Sequence, residues 1–195
     1  MTTITVPQFA PPGAGLPPLE HLIARCLFAL RRSTGNRGSF TQKFVRERAR
    51  ISVLISNCDA AAGARRVLIR RPPGLEDSSR YWSVWMTLDH LRIVHAEMTR
   101  VIAALTNGRQ LTGEASTAAV KPSPAADASV VADYEASCDR LLATAAAARE
   151  LKTPDRFTHP WFGPLDANGW YALAGGHLGI HRVQIERILT ASAAK

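Results

Sequence analysis

Apolar positions recur along this chain with a helical period. Leu19, Leu22, Ile23, Cys26, Leu27 and Leu30 fall at steps of three and four, so they share one stripe of a helix over about Leu19–Arg32. Pro17 and Pro18 sit where a helix start tolerates them, and Ser33–Asn36 with Gly38 break the pattern. The spacing predicts a second helix from Thr41 to about Ala62, capped by Ser39 or Thr41 and ended by Gly63. Its apolar face is Phe44, Val45, Ile51, Val53, Leu54, Ile55 and Cys58. Residues 65–74 are basic and close on Pro72-Pro73-Gly74, which reads as a connector with an extended portion. A third helix starts at Ser78 or Ser79, carries Trp82, Trp85, Met86, Leu88, Ile93, Met98, Val101, Ile102 and Leu105, and stops at Asn107-Gly108. A linker of small residues follows from Arg109 to Ala126. A fourth, Ala-rich helix then runs from Asp127 or Ser129 to about Leu151. After a loop to Pro164, Asp166 caps a last helix to about Ala191. No segment alternates with the period of two that marks a strand, so the expected class is all-α. Helices of this length bury their apolar faces by packing as an antiparallel bundle.

With 195 residues the chain can bury one ordinary core. The expected organisation is a Pro-rich arm at 1–18, containing Pro7, Pro11, Pro12, Pro17 and Pro18, followed by one helical domain at 19–192. Met1–Pro18 has neither the basic start nor the apolar centre of a secretory signal. No stretch approaches the ~20 apolar residues that span a bilayer, so no membrane partner is expected. Cys26, Cys58 and Cys138 are odd in number and form no CxxC pair, which points to a reducing cytoplasm and to three small buried core residues. The net charge of +8 is carried largely by Arg, with pairs at Arg31-Arg32, Arg65-Arg66 and Arg70-Arg71. These lie among apolar positions, as the solvated faces of amphipathic helices do. Aromatic interleaving and recognition motifs are absent from the basic stretches, so nucleic acid is not an expected partner.

The chemistry concentrates in the histidines. His177 and His181 stand four residues apart on the last helix, so both imidazoles leave one face about a turn apart and can share one transition metal. The third ligand must come from another helix, and His90, among Leu88 and Leu91 on the third helix, is the favoured candidate. His95 lies about 140° around that helix and cannot aim at the same ion as His90. Glu97, seven residues after His90, is either an acceptor for an imidazole N–H or a solvated or lining carboxylate. Leu178 stands where an HExxH protease carries its general base, and the last helix lacks the carboxylates of a di-iron bundle. Three neutral imidazoles suit Zn or Ni best among Zn, Ni, Fe and Mn, and leave positions open for water or a thiolate. Gly175, Gly176 and Gly179 beside the pair give either room for a ligand or close helix packing.

The stretch His159–Ile188 reads as an HPWFGPL loop, a Trp on the helix, then HxxxHxxQIxRI. Together with GLEDSSRYWS at 74–83 and LDHL at 88–91, it resembles the DinB-like (DinB/YfiT) superfamily over about Glu20–Leu189. The resemblance implies a four-helix bundle with an unusual crossover, here preceded by an extra N-terminal helical or extended segment. It implies a metal held by His90, His177 and His181, and frequent homodimers. Members of the superfamily include thiol-dependent S-transferases and a mycothiol-dependent maleylpyruvate isomerase. The expected function is therefore a metal-dependent thiol transferase or hydrolase acting on a small electrophilic substrate, with a low-molecular-weight thiol as co-substrate. The alternative is a non-catalytic bundle that binds a metal or ligand. The basic segment around Ala64–Arg71 and the linker before the fourth helix depart from simpler members, and neither is expected to touch the three His. The HPWFGPL loop, with His159, Trp161 and Phe162, is expected to act as a lid, a pocket wall or a structural plug. His21 is expected to be structural or exposed.

Overall fold

A computed structural model describes residues 8–193. Its elements, in chain order, are α1 (Pro18–Thr34), α2 (Arg37–Ser56), α3 (Ala60–Ala64), β1 (Val67–Leu68), β2 (Tyr81–Trp82), α4 (Val84–Thr106), α5 (Val130–Ala147), β3 (Phe157–His159), β4 (Gly163–Leu165) and α6 (Ala167–Ala193). The class is all-α as expected: α4 packs on α5 and α6, α6 packs on α2, and these four helices form the bundle. Two short antiparallel ribbons, β1–β2 and β3–β4, are added to it. The period-two test misses them because strands of two or three residues are too short to alternate. No described helix is long and apolar enough to cross a membrane.

The caps explain where the helix starts move. Asn36, not Ser39 or Thr41, caps α2: its side chain accepts from the Ser39 N–H while the Ser39 hydroxyl accepts from the Asn36 N–H. Helix α2 ends at Asn57, and Asp59 caps a separate turn, α3. Ser83 caps α4, so Asp77–Ser79 forms only a 3₁₀ turn before it. Asp166 caps α6 as expected, accepting from Gly169 N–H at 2.9 Å.

Two faces differ from the hydrophobic pattern. On α2 the buried stripe is Phe40, Phe44, Glu47 and Ile51, while Val45 and Val53 are exposed. Glu47 is fully buried against α6, where it accepts from Lys43 and Arg182. Burial opposes its charge, but those two cations outweigh it and hold the carboxyl below its ordinary value. Helix α1 is turned over: Leu19, Leu22, Ile23, Leu27 and Leu30 are each at least 50% exposed, and no α1 residue is fully buried. Its inward face mixes Ala24 and Phe28, the latter against Phe162, with polar residues. Glu20 binds Arg71 and the Gly74 N–H, His21 Nε2–H donates to the Trp161 carbonyl, and Arg32 pairs with Asp166. Cys26 is accordingly exposed rather than in the core, Cys58 is half-buried and only Cys138 is buried. Of the Pro-rich arm, residues 1–7, including Pro7, lie outside the described residues. The remainder is tethered by Ala10 N–H to Asp77 and Gly13 N–H to Glu76.

Candidate metal centre

His90 sits on the second turn of α4, and His177 and His181 sit at the middle of α6. Because α4 and α6 are packed neighbours, the three rings meet. His177 Nε2 lies 3.3 Å from His90 Nε2 and 3.2 Å from His181 Nε2. A tetrahedral ion with Zn–N bonds of about 2.0–2.1 Å would hold its ligand nitrogens about 3.3–3.4 Å apart, so the spacing fits a single ion.

The outer nitrogens fix which ring atoms face inward. His90 Nδ1–H donates to the Val120 carbonyl at 2.6 Å. Gln184 donates its amide N–H to the Ser79 carbonyl at 2.8 Å, which turns its oxygen to His181 Nδ1–H at 2.7 Å. Both rings therefore present bare Nε2 lone pairs toward His177 Nε2, an arrangement that suits a shared cation. Burial keeps the rings neutral: it pushes His90 down to about 4, and His177 and His181 well below the ordinary value. Trp82, placed by the β1–β2 ribbon, packs 5.2 Å from the His90 ring and lies parallel to His181 at 6.3 Å.

The three His form part of the wall of a cavity of about 410 Å³, bounded by α1, the linker at 115–121, the β3–β4 hairpin, α4 and α6. The linker thus does touch the site: Val120 holds His90, and Lys121 stands 5.4 Å over Trp82. The segment at 64–71 reaches it at one remove, through the pairing of Val67 with Trp82. Tertiary packing decides both contacts, and sequence spacing holds no trace of them. Gln184 was visible in HxxxHxxQ, but its role as a clamp needed the Ser79 carbonyl on the far side.

Other candidates fall elsewhere. His95 is fully buried away from the cluster, with Nδ1 3.1 Å from Ser137 Oγ and its ring against Phe44 and Tyr134. Burial pushes it down to about 3. Glu97 lines the cavity but binds Arg100 rather than an imidazole. Glu76, in the GLEDSS stretch, also lines the cavity; one of its oxygens meets Lys121 and the other is buried without a hydrogen-bond partner. His159 is a cavity wall, locked by Trp161 N–H on its Nδ1, and burial brings it to about 4. Gly175 and Gly179 lie against α2, at Lys43 and Phe44 and at Lys43 and Glu47, whereas Gly176 faces open space beside the cavity, so both expected roles occur. None of the cysteines lines the cavity, and burial raises the Cys138 thiol to about 12.

A helical bundle with three His converging on one cavity is the class that this fold and site define. Residues 43–185, more than half of the chain, match the DinB superfamily. The chain belongs to the DinB superfamily. Among solved structures, TT2238, described as a four-helix bundle protein, is similar at 20% identity with a TM-score of 0.58, over 77% of this chain and 98% of that one. No curated protein shows a match to the chain. Helix α1 lies wholly before the matched residues.

Proposed function

We propose that this protein is a metal-dependent enzyme that uses a low-molecular-weight thiol or water against a small electrophile, with Zn or Ni on His90, His177 and His181. The observation that carries the reading is the meeting of three imidazoles, with His177 Nε2 3.3 Å from His90 Nε2 and 3.2 Å from His181 Nε2, on the wall of a substrate-sized cavity. When bound, the ion supplies a Lewis acid that lowers the pKa of a water or thiol ligand. The chain supplies the rest. Val120 and Gln184 aim two of the ligands, and Trp82 shields them from water. Glu76 lines the same cavity and keeps one buried carboxylate oxygen without a hydrogen-bond partner. No cysteine of the chain reaches the cavity, so a thiol nucleophile has to come from a co-substrate.

The test compares metal-loaded protein, chelated protein and His177→Ala across pairs of low-molecular-weight thiols and alkyl or aryl electrophiles, with thiol consumption and ester hydrolysis as readouts. Turnover that disappears on chelation and in the variant is expected. Metal-independent turnover, or none with any pair, counts against it. One observation favours a second reading, a non-catalytic metal-binding bundle: no carboxylate hydrogen-bonds to any of the three rings among the described residues. In that case His177→Ala lowers the melting temperature and nothing else.

The apolar stripe on the outside of α1 supports a homodimer. It is a contiguous exposed patch, and a two-fold contact uses the same patch on both subunits. Three free cysteines support a reducing, cytoplasmic setting.

A further inference from the structure

The cavity over the three His carries a cation with nothing to bind. Arg31 lines it from α1, and its Nε is buried without a hydrogen-bond partner. Among the described residues no carboxylate lies within ion-pair distance of Arg31, whereas the neighbouring Arg32 has Asp166. Its guanidinium rests 5.6 Å over the Phe40 ring. Burial, and then the positive charge of Arg46, hold its pKa below the ordinary value. Even so a guanidinium stays charged, and a partly buried charge without a partner is a standing cost. Arg31 stands on the cavity-facing side of α1 with Ala24, Leu27 and Phe28.

We propose that Arg31 is an anion subsite, and that the cavity takes a largely apolar small molecule bearing one carboxylate, with the carboxylate on Arg31 and the reacting group toward His177. This rests on the reading of that cavity as the substrate site. The next residue of α1, Arg32, pairs with Asp166 at the start of α6, about three helical turns before His177. Much of the cavity wall is apolar, including Phe28, Val94, Met98, Phe162 and Leu173. Glu76 and Glu97 also line the cavity, so a dianion such as a phosphate ester would meet repulsion that a monoanion meets less. The planar fork of Arg suits a carboxylate in two parallel hydrogen bonds. Helix α1 precedes the residues matched to the superfamily, so this subsite is the chain's own addition to the bundle.

The test uses chelated, metal-free protein and calorimetric titration with 4-phenylbutyrate and 4-phenylbutan-1-ol, which differ only in the charged end. The parent is expected to bind the carboxylate at least tenfold tighter than the alcohol. Arg31→Gln is expected to erase that preference while alcohol affinity stays within twofold, which also shows that the cavity remains folded, and Arg31→Lys to restore part of it. The proposal is overturned by equal binding of the two probes to the parent, or by a preference that survives Arg31→Gln. His177→Ala is expected to keep the preference, so loss of the metal reading alone leaves this one standing. A carboxylate preference seen only in metal-loaded protein and unmoved by Arg31→Gln would place the anion on the ion, sinking this proposal and not the other.

Discussion

At the scale of single residues, the site is set by what holds each imidazole from behind. Gln184 is the clearest case, because one amide bridges the Ser79 carbonyl and His181 Nδ1–H. Losing such an outer partner usually costs about 10–100-fold in metal affinity. Gln184→Ala is therefore expected to weaken metal binding by that factor in a competition titration with a chelating dye; unchanged affinity would remove Gln184 from the account. His95 gives a second, separate prediction. Its value in the folded protein, about 3, lies below the ordinary 6.5, so the unfolded chain binds the extra proton in the window between them. Stability is thus full above about pH 6.5 and is lost as pH falls, by up to about 1.4 kcal/mol per pH unit. Urea unfolding at pH 7, 6 and 5 should show a shallower acid loss in His95→Gln than in the parent. Parallel curves would mean that His95 is not buried in its neutral form.

At the scale of elements, the seam between α2 and α6 depends on one small residue. A Cβ at Gly175 would come within 2.8 Å of Lys43 Cγ and 3.0 Å of the Phe44 backbone N, whereas one at Gly176 would meet nothing within 4 Å. Gly175→Ala is expected to destabilise by about 1–3 kcal/mol through overpacking, and Gly176→Ala to stabilise by about 0.5–1 kcal/mol through helix propensity. Denaturant midpoints of the two variants check this, and equal shifts would contradict it. The sequence announces the last helix and its HxxxH because a four-residue step alone puts two side chains on one face. It also separates His90 from His95, since their angular offset is a property of the helix. It cannot say that Glu47 completes the buried stripe of α2, because that depends on Arg182 arriving from α6. Nor can it reveal that Val120, in an irregular linker, supplies the carbonyl for His90.

For the whole molecule, α1 shows the limit of periodicity. The period establishes that Leu19, Leu22, Ile23, Cys26, Leu27 and Leu30 share a stripe, but not whether the stripe faces the core of its own chain. Here Arg32–Asp166, Glu20–Arg71 and His21–Trp161 dock the opposite face, and the leucines remain outside. A second copy covering that stripe makes the reading consistent. Sedimentation is then expected to give a dimer at micromolar concentration and a monomer for Leu22→Lys with Ile23→Lys, with little change in bundle stability. A parent that sediments as a monomer throughout would refute it. The same docking places Arg31 in the cavity wall, so the extra helix bears on both association and the ligand site.

That His90, His177 and His181 hold one metal ion together is tested most directly by metal content from mass spectrometry, on protein purified without a His tag beside His90→Ala and His177→Ala. About one equivalent of Zn or Ni in the parent, lost in both variants while each keeps its helical circular-dichroism signal, is the result expected. No metal in the parent after incubation with either ion, or an equivalent that both variants retain, would contradict the claim.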